Sequence, residues 1–349
     1  MRRYKNGLPQ RRSGLLLGAG GLLLALGLNL CVGTRWIAPV EMIGALIEFD
    51  PDELDHFLLW YQRIPRALIA VYTGAMMACA GVVLQSLMRN PLTSPATLGV
   101  NSGATLFVVL GAALWPQLLT PGFLVAQGMT ALAGGVFGAV LALTVARLAG
   151  LAQDPRGFSL ILAGALVAML LSGVTQAILL SDPQRRSDLL GWASGSINHV
   201  YADRLAVFWW IGVICCGTLL ALSRHLNLIL LGSDKAGSTG VNVPLVSRVA
   251  MLASVFAAAS AVAVCGPVGF IGLVVPHIAR PLLGAAVGPL LLGSALMGAG
   301  LCLIADLAAR MAFQPYTLHT GVVMDLLGGA FFVAIIRRHY LSGRAGQLA

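Results

Sequence analysis

Charged residues are scarce in this 349-residue chain, at 10% of the sequence. A soluble domain of ordinary composition has about 25% charged and 45–50% apolar residues. Here apolar residues make up 58%, and the mean hydropathy is +0.87. A soluble fold of this length could not bury so much apolar surface. The composition therefore excludes a cytosolic enzyme, a secreted disulfide scaffold and a disordered chain, and it predicts a polytopic membrane protein.

Motifs that carry covalent chemistry are also missing. The chain has no G-x-x-x-x-G-K-[ST] phosphate-binding loop, no H-E-x-x-H and no G-x-S-x-G. Its six cysteines lie in or at the ends of apolar runs without metal-ligand spacing, which is typical of small buried hydrophobic residues. His319 and Met324 alone do not make a ligand set. We therefore predict no catalytic residue, no metal site and no cofactor bound by this chain, so that any ATP driving it is hydrolysed by another subunit.

Long apolar runs dominate what is present. A helix needs roughly 20 apolar residues to cross a bilayer. The run at 90–146 is long enough for two helices and is interrupted by prolines within Trp115–Gly122. The run at 249–279 is cut by Gly266–Pro267 into one helix and a shorter one. The sequence thus predicts an all-α polytopic membrane protein with about ten transmembrane helices, in Ser13–Thr34, Ala67–Met88, 90–146 (two), Gly157–Ser181, Leu205–Ser223, 249–279 (two), Pro281–Ala305 and Leu318–Ile336.

The distribution of charge indicates the orientation, because Lys and Arg concentrate in cytoplasmic loops. Basic residues crowd 1–12 and 337–349, whereas six acidic residues fall within 41–55. We expect both termini and the loop at about 224–248 in the cytoplasm. The net charge of +9 is then explained by the basic residues of the cytoplasmic segments. The expected partner is the lipid bilayer, and no nucleic-acid partner is predicted. The first run is expected to stay as a helix, since its apolar part exceeds the ~7–15 residues of a signal peptide and no A-x-A site follows.

Three polar or broken segments lie beside the apolar runs. Arg63-Ile-Pro-Arg66 precedes the second span, and Asn90-Pro-Leu-Thr-Ser-Pro95 follows it. A polar run rich in proline is tolerated at membrane depth only against protein or water. Gly266–His277 is a glycine-broken apolar segment, which predicts a helix that ends at the internal proline, Pro276.

Two more segments have helical spacing. The stretch Leu228–Val243 predicts one or two short helices lying under the membrane, because small residues recur four apart at Gly232, Ala236 and Gly240. Asp306 and Arg310 are also four apart, which places an acid and a base on one helix face.

These segments together resemble the FecCD-type permeases, the membrane subunits of bacterial ABC importers for iron-siderophores, haem and cobalamin. Seven pieces occur in family order between about residues 60 and 336, namely R-I-P-R, N-P-L-x-x-P-x-x-L-G-V-x-S-G-A, L-x-L-A-G, W-x-x-G-S, the L-G-V-N-V-like Thr239–Val243, G-F-I-G-L-V-V-P-H and A-D-x-x-A-R. The resemblance implies a type II ABC importer permease fold, with residues 1–349 as a single transmembrane permease domain in a bacterial inner membrane. It also implies two ATP-binding cassette subunits that hold ATP and Mg, a periplasmic substrate-binding protein, and a second permease subunit in a homodimer or heterodimer.

The resemblance assigns a docking role to three arginines. Arg63, Arg66 and Arg310 would contact glutamates on the two lobes of the binding protein, since arginine matches a carboxylate bidentately. The plainer interpretation is that Arg63 and Arg66 anchor the span at the interface, and that Arg310 pairs locally with Asp306. A pair of that kind is worth only about 0.3–0.5 kcal/mol if exposed.

Two sets of residues at the cytoplasmic side also receive roles from the resemblance. The gate that closes the pathway would consist of Asn90, Pro91 and Leu92. The segment that couples to the ATPase would contain Gly232, Ala236, Gly240 and Val241. Ordinary alternatives are a helix-ending turn for the first set and a polar loop for the second. His277 and Arg280 are equally a structural pair or an ATPase contact.

The predicted function is import of a ferric siderophore by alternating access, with haem and cobalamin as alternatives within the family. The alternative from another class is an ion-coupled secondary transporter that uses Asp325 and Asp306, although a structural role for Asp325 near the pathway is favoured. The chain departs from the family pattern in two places. Gly284–Pro289 replaces a D-H-R-like polar group, and Thr317–Gly321 replaces the usual E-L-P-V-G.

Overall fold

The computed structural model describes residues 8–149, 158–181, 186–312, 314 and 316–345. These residues form α-helices and short helical turns without a β-strand, so the all-α prediction is confirmed. Residues 1–7 and 346–349 of the predicted terminal segments lie outside the described part. The helices are α1 Leu8–Cys31, α2 Pro39–Ile47, α3 Leu54–Leu58, α4 Ile64–Leu87, α5 Val100–Leu114, α6 Leu124–Leu148, α7 Phe158–Ser181, α8 Arg186–Ala193, α9 Ala202–Leu230, α10 Ser233–Ser238, α11 Val243–Cys265, α12 Ile271–Leu283, α13 Val287–Met311 and α14 Thr320–Ala345.

Ten apolar helical segments match the predicted spans. In the described residues, 7 are long and apolar enough to cross a membrane, and three shorter apolar helices accompany them at Val100–Leu114, Ile271–Leu283 and Thr320–Ala334. The predicted break within Trp115–Gly122 is present as two 3-10 turns that begin at Pro116 and Pro121. Proline has no N–H to continue a helix but fits the first position of a new turn.

Contacts between distant residues give the direction of the helices. Asn29 near the end of α1 and Arg66 at the start of α4 both reach Asp306 on α13. Thr320, the first residue of α14, reaches the same carboxylate. We call this side of the bundle the Arg66 end.

The opposite side is the Asn90 end. Arg89 contacts Ile229 in the last turn of α9, and Asn227 caps the start of α13 at Val287. Because α1 runs toward the Arg66 end and α14 runs away from it, the outer ends of the first and last helices both lie at the Asn90 end. An even number of spans also places the two ends of the chain on one side, so the count of ten agrees with the directions of α1 and α14.

Helix α4 is the most buried of the long spans, and small residues bring its neighbours close. A Cβ atom on Gly74 would lie 2.2 Å from the carbonyl oxygen of Gly298 on α13, so glycine is required at that crossing. A Cβ atom on Gly298 would also lie 2.7 Å from the Cβ of Ala78, one turn further along α4. Helices in lipid gain no hydrophobic drive from each other, so this backbone packing supplies the contact.

Helices α11 and α12 are separated at the predicted break, where Gly266 has φ +80°. The predicted end of the second helix at Pro276 is wrong, because α12 continues through Pro276 and Pro281 to Leu283. The next span accordingly begins at Val287 and not at Pro281. Local sequence alone therefore misplaced both boundaries.

A distant side chain explains why α12 tolerates Pro276. Proline lacks the N–H that would bond the carbonyl of Gly272, four residues earlier. The amide of Gln85 on α4 donates to that carbonyl at 3.1 Å. A polar group buried in lipid must be satisfied by protein, and Gln85 supplies the missing donor.

Three short helices, α2, α3 and α8, lie outside the predicted spans. They are too short to show as apolar runs. One of them has a recognisable start: α2 has proline in its first turn, and the Glu41 side chain accepts from the N–H of Ala38 at 3.1 Å. This arrangement is a known N-terminal pattern that the sequence displays.

Candidate functional sites at the two ends of the bundle

Asp306 is a fully buried carboxylate at the Arg66 end, with an exposed fraction of 0%. Arg66 donates to both carboxylate oxygens, from Nε at 2.9 and 3.1 Å and from Nη2 at 2.9 Å. The planar guanidinium fits a carboxylate in this bidentate manner. This pair joins α4 to α13 across 240 positions of sequence.

Three further side chains complete the Asp306 cluster, which we define as Asn29, Arg66, Asp306, Arg310 and Thr320. Around the carboxylate, Arg310 Nε lies at 3.3 Å, Asn29 Nδ2 donates at 3.2 Å and the Thr320 hydroxyl donates at 3.3 Å. Arg310 also donates to the backbone oxygen of Asn29 at 3.1 Å. A buried charge is stable only when paired and hydrogen-bonded. The predicted Asp306–Arg310 pair is confirmed, within a network that ties four helices together.

Arg63 has different partners. It ends a π-helical turn at Leu59–Arg63, and its guanidinium donates to the carbonyl oxygens of Leu30, Cys31 and Arg35. The last carbonyls of a helix lack intrahelical donors and attract cations. Arg63 therefore caps the end of α1.

The three arginines predicted to dock a binding protein thus lie at one end of the bundle, with their side chains directed inward. Arg63 is 7% exposed, and the side chains of Arg66 and Arg310 are 15% and 11% exposed. A docking carboxylate would have to join or replace their present acceptors. Docking through these residues stays a prediction.

Arg204 is a buried cation that sequence reasoning missed. Its exposed fraction is 0%, and it donates to the carbonyls of Leu124 at 2.9 Å and Val264 at 3.4 Å. It also donates to the side chain of Gln127 and lies 4.2 Å over the ring of Tyr201. These partners are all neutral. An arginine near the start of a span is usually an interfacial anchor, so nothing in the sequence distinguished it.

At the other end, the predicted gate residues Asn90, Pro91 and Leu92 form the turn after α4. Asn90 is 3% exposed, and its side-chain oxygen accepts from the N–H of Leu92 at 3.0 Å. This hydrogen bond forms an Asx turn, which fixes the backbone of the turn through the buried side-chain amide of Asn90. The Leu92 side chain lies on the surface, at 38% exposure. The contacts are those of a helix-ending turn, and the gating role stays a prediction.

The predicted coupling residues surround one short helix, α10. Helix α9 extends to Leu230, so the segment is shorter than the predicted Leu228–Val243. Gly232 and Gly240 lie outside α10 and not on its face, with φ of +134° and +83°. Glycine adopts these angles without the strain that a Cβ atom would bring. The helical spacing of the small residues was therefore misleading, because the glycines belong to the turns on either side.

Ala236 holds this segment together from the inside. It is 0% exposed, its N–H donates to Gly232 at 3.0 Å, and its carbonyl accepts from the Val241 N–H at 3.2 Å. Gly240 is exposed, and a Cβ atom built there would meet nothing within 4 Å. The segment is a compact protrusion with an open glycine at its surface. Its coupling role stays a prediction.

Arg89 connects the turn at Asn90 with the end of α9, which leads into the α10 segment. Its guanidinium donates to the carbonyl of Ile229 at 3.1 Å, across 140 positions of sequence. Ile229 lies in the last turn of α9, where carbonyls attract cations, and α10 begins four residues later. The Asn90 turn and the α10 segment are therefore linked directly by a residue that sequence reasoning did not select.

Asp325 lies on an exposed face of α14. A Cβ atom on Gly269, in the turn between α11 and α12, would lie 2.4 Å from the Asp325 carboxylate. An acid inside an apolar helix is costly in lipid, so this face requires water or another protein surface. His277 and Arg280, which were open between two roles, are partly buried on α12.

Comparison with known proteins agrees with this architecture. The model of the FecCD transport family matches residues 21–338. A solved structure, described as a metal-chelate type ABC transporter in an inward-facing conformation, is 26% identical with a TM-score of 0.76. The match covers 94% of this chain and 99% of that one.

Three relatives cover most of the chain. The Fe(3+)-citrate import system permease protein YfmD of Bacillus subtilis (strain 168) is 34% identical over 90% of this chain and 92% of its own. The Fe(3+) dicitrate transport system permease protein FecD of Escherichia coli (strain K12) is 34% identical over 86% and 92%. The ferric enterobactin transport system permease protein FepD of the same strain is 33% identical over 92% and 94%.

Proposed function

The chain belongs to the FecCD transport family, and from this premise we propose that it is the permease subunit of an ATP-driven importer for a ferric chelate of the siderophore type. The permease binds no ATP. Two ATP-binding cassette subunits hydrolyse it, and the permease alternates between outward- and inward-open states. Haem and cobalamin are the alternative cargoes within the family.

The observation that carries this proposal is the likeness of nearly the whole chain to a metal-chelate type ABC transporter. The names of the relatives support an iron chelate in particular. The Asp306 cluster argues against the ion-coupled alternative, because the Asp306 carboxylate is fully buried and both of its oxygens are already bonded to side chains of other helices.

We propose that the Asn90 end faces the cytoplasm and the Arg66 end the periplasm of a bacterial inner membrane. Basic side chains at the Asn90 end support this orientation. They include Arg89 after α4, Arg147 in the last turn of α6, Arg224 near the end of α9 and Arg248 in the first turns of α11.

A second permease subunit, identical or related, would cover the exposed face of α14 that carries Asp325. A pathway between two subunits would provide the water that this carboxylate needs. In this arrangement Asp325 and the turn beside Gly269 lie near the transported chelate. The close approach of the Asp325 carboxylate to Gly269 supports a structural role for Asp325 at the pathway.

We propose that ATPase movement enters through the α10 segment. The surface around Gly240 is exposed and unobstructed, so this protrusion could enter a groove on the ATPase. Displacement of α10 would pull the end of α9, and the Arg89–Ile229 hydrogen bond would transmit the change to the Asn90 turn, where Leu92 closes the pathway. Carboxylates of the periplasmic binding protein would in turn meet the arginines at the Arg66 end.

Transport into proteoliposomes tests this function. The chain is reconstituted with its ATPase and second permease, the binding protein is added with radioactive ferric siderophore, and uptake is measured with ATP and with a non-hydrolysable analogue. We expect uptake only with hydrolysable ATP and the complete set of subunits. Uptake driven by a proton gradient with this chain alone would establish the secondary-transporter alternative.

A further inference from the structure

A groove of about 350 Å³ lies between α6 and α11 at the Asn90 end of the bundle. We call it the Arg147 groove. Its volume falls in the range of about 300–1,000 Å³ that is typical of small-molecule sites. Val140 and Leu252 in its lining are 47% and 50% exposed, so the groove is open and not an enclosed cavity.

The position of the Arg147 groove separates it from the surface proposed for the second permease. Helix α14, which carries that surface, packs against α12 and α13. Helices α6 and α11 instead pack against α5 and α9. The groove therefore lies on a different part of the bundle, where the surroundings of a membrane helix are lipid.

The two arginines of the groove lie at the same level. Arg147 is in the last turn of α6, and Arg248 is in the first turns of α11. Because α6 ends and α11 begins at the Asn90 end, both side chains lie at the mouth of the groove, near the membrane surface. Both residues are exposed, so a ligand can reach them.

The deeper part of the groove is apolar. Val140 and Leu143 precede Arg147 by seven and four residues, which places all three on one face of α6. At a rise of 1.5 Å per residue, Val140 lies about 10 Å further into the membrane than Arg147. One leaflet contributes about 15 Å of hydrocarbon, half of the membrane core. The groove therefore has a charged mouth and an apolar inner part, as an amphiphile does.

Positive charge is uncompensated at the mouth. The structure describes every residue that lines the groove, and none of them is acidic. No described carboxylate forms an ion pair with Arg147 or Arg248. Thr144 and Ser247 add hydroxyl groups beside the two arginines. Single arginines anchor helix ends at the membrane surface, but anchoring does not require two helices to direct arginines into one groove.

We infer that the Arg147 groove binds an anionic phospholipid. Its phosphate would lie between Arg147 and Arg248, since arginine matches phosphate oxygens bidentately, and an acyl chain would follow the apolar walls of α6 and α11. Basic pockets between membrane helices on the cytoplasmic side bind anionic headgroups in this way. In the proposed orientation the lipid belongs to the cytoplasmic leaflet. The inference goes beyond the proposed transport function and holds for any cargo.

Native mass spectrometry of the full-length chain, released from detergent micelles, tests the inference by counting bound lipids. The probes are phosphatidylglycerol and phosphatidylcholine with identical acyl chains, so that they differ in headgroup charge. We expect at least about tenfold greater retention of phosphatidylglycerol, because each basic residue near the surface favours an anionic lipid. Inorganic phosphate in excess should not displace it, since phosphate has no acyl chain. Displacement would assign the groove to free phosphate and overturn the inference.

A matched pair of double variants locates the lipid. Arg147→Gln with Arg248→Gln removes two positive charges from the groove. Arg12→Gln with Arg224→Gln removes the same charge from exposed positions at the Asn90 end that do not line it. We expect retention of phosphatidylglycerol to fall about tenfold or more in the first and to change little in the second.

Equal retention of the two lipids, or equal losses in the two double variants, would overturn the inference. A partner protein is the other candidate for the two arginines, so binding of the ATPase is measured with the same variants. Loss of ATPase binding with unchanged retention of phosphatidylglycerol would assign Arg147 and Arg248 to that partner and also overturn the inference. Circular dichroism checks that the helices of each variant are intact. The lipid assay uses neither ATP nor a chelate, so its failure leaves the transport proposal standing.

Discussion

The two ends of the bundle are held together by different kinds of contact. At the Arg66 end, buried polar and charged side chains from four helices meet at one carboxylate, Asp306, and Arg63 caps the end of α1. At the Asn90 end, an Asx turn and a glycine-bounded helix project with few long-range side-chain bonds, of which Arg89 to Ile229 is one. The first arrangement is suited to holding helices together, and the second to moving against a partner. Substitutions should therefore reduce stability at one end and coupling at the other.

The largest effect is expected for Asp306→Asn. The substitution removes the charge that compensates two arginines, and an uncompensated buried charge costs about 3–5 kcal/mol. Chemical unfolding in detergent measures the loss. Asp55→Asn is the control, because Asp55 pairs with Arg35, whose side chain is 56% exposed, and an ion pair in contact with water contributes less than a fully buried one. Similar losses for both variants would show that the Asp306 cluster does not hold the helices.

A smaller loss is expected for Gln85→Leu, which lies between the two ends. The change leaves the Gly272 carbonyl without a donor, and an unsatisfied buried group costs about 1–3 kcal/mol. Pro276→Ala restores the backbone N–H that proline lacks. Unfolding of the double variant should therefore recover most of the loss, and equal losses in both backgrounds would contradict the role given to Gln85.

For Gly240→Trp we expect a stability loss of only about 1–2 kcal/mol, from the Cβ strain at positive φ, but loss of ATP-dependent uptake. The indole would fill the open surface against which the ATPase is proposed to sit. Gly240→Asn is the control, because asparagine tolerates this backbone conformation and is smaller. ATP hydrolysis and uptake are measured together in proteoliposomes. Normal uptake by Gly240→Trp would remove α10 as the coupling element.

The smallest stability effect is expected for Arg89→Ala. Loss of one exposed hydrogen bond to a helix C-terminus costs about 0.3–1 kcal/mol. We nevertheless expect fewer chelates transported for each ATP hydrolysed, because the link from α9 to the Asn90 turn is gone. Arg12→Ala, an exposed arginine in the first turns of α1, is the control. An unchanged transport ratio would exclude this link from coupling.

Features within one segment were predictable. Run length predicted the apolar spans, and the prolines of Trp115–Gly122 and the glycine at Gly266 predicted where two of them break. Helix ends inside apolar sequence were not predictable. Pro276 was taken as a helix end because the donor that replaces its N–H, Gln85, lies on another helix.

The candidate sites show the same limit. The Asp306–Arg310 pair is four residues apart and could be predicted, whereas Arg66 reaches Asp306 across 240 positions. Asn29 and Arg204 lie within or at the start of apolar helices, where a single polar residue carries no pattern. Their partners come from other helices, so only the fold shows that they bind there.

The sequence by itself determined that the chain crosses the membrane about ten times as helices, because hydropathy and the need to satisfy backbone groups in lipid act on each segment separately. It also determined the family, through motifs that keep their order. Only the tertiary structure decided which buried polar groups pair, since a charge in a low-dielectric interior is stable only beside partners that the fold brings from distant helices.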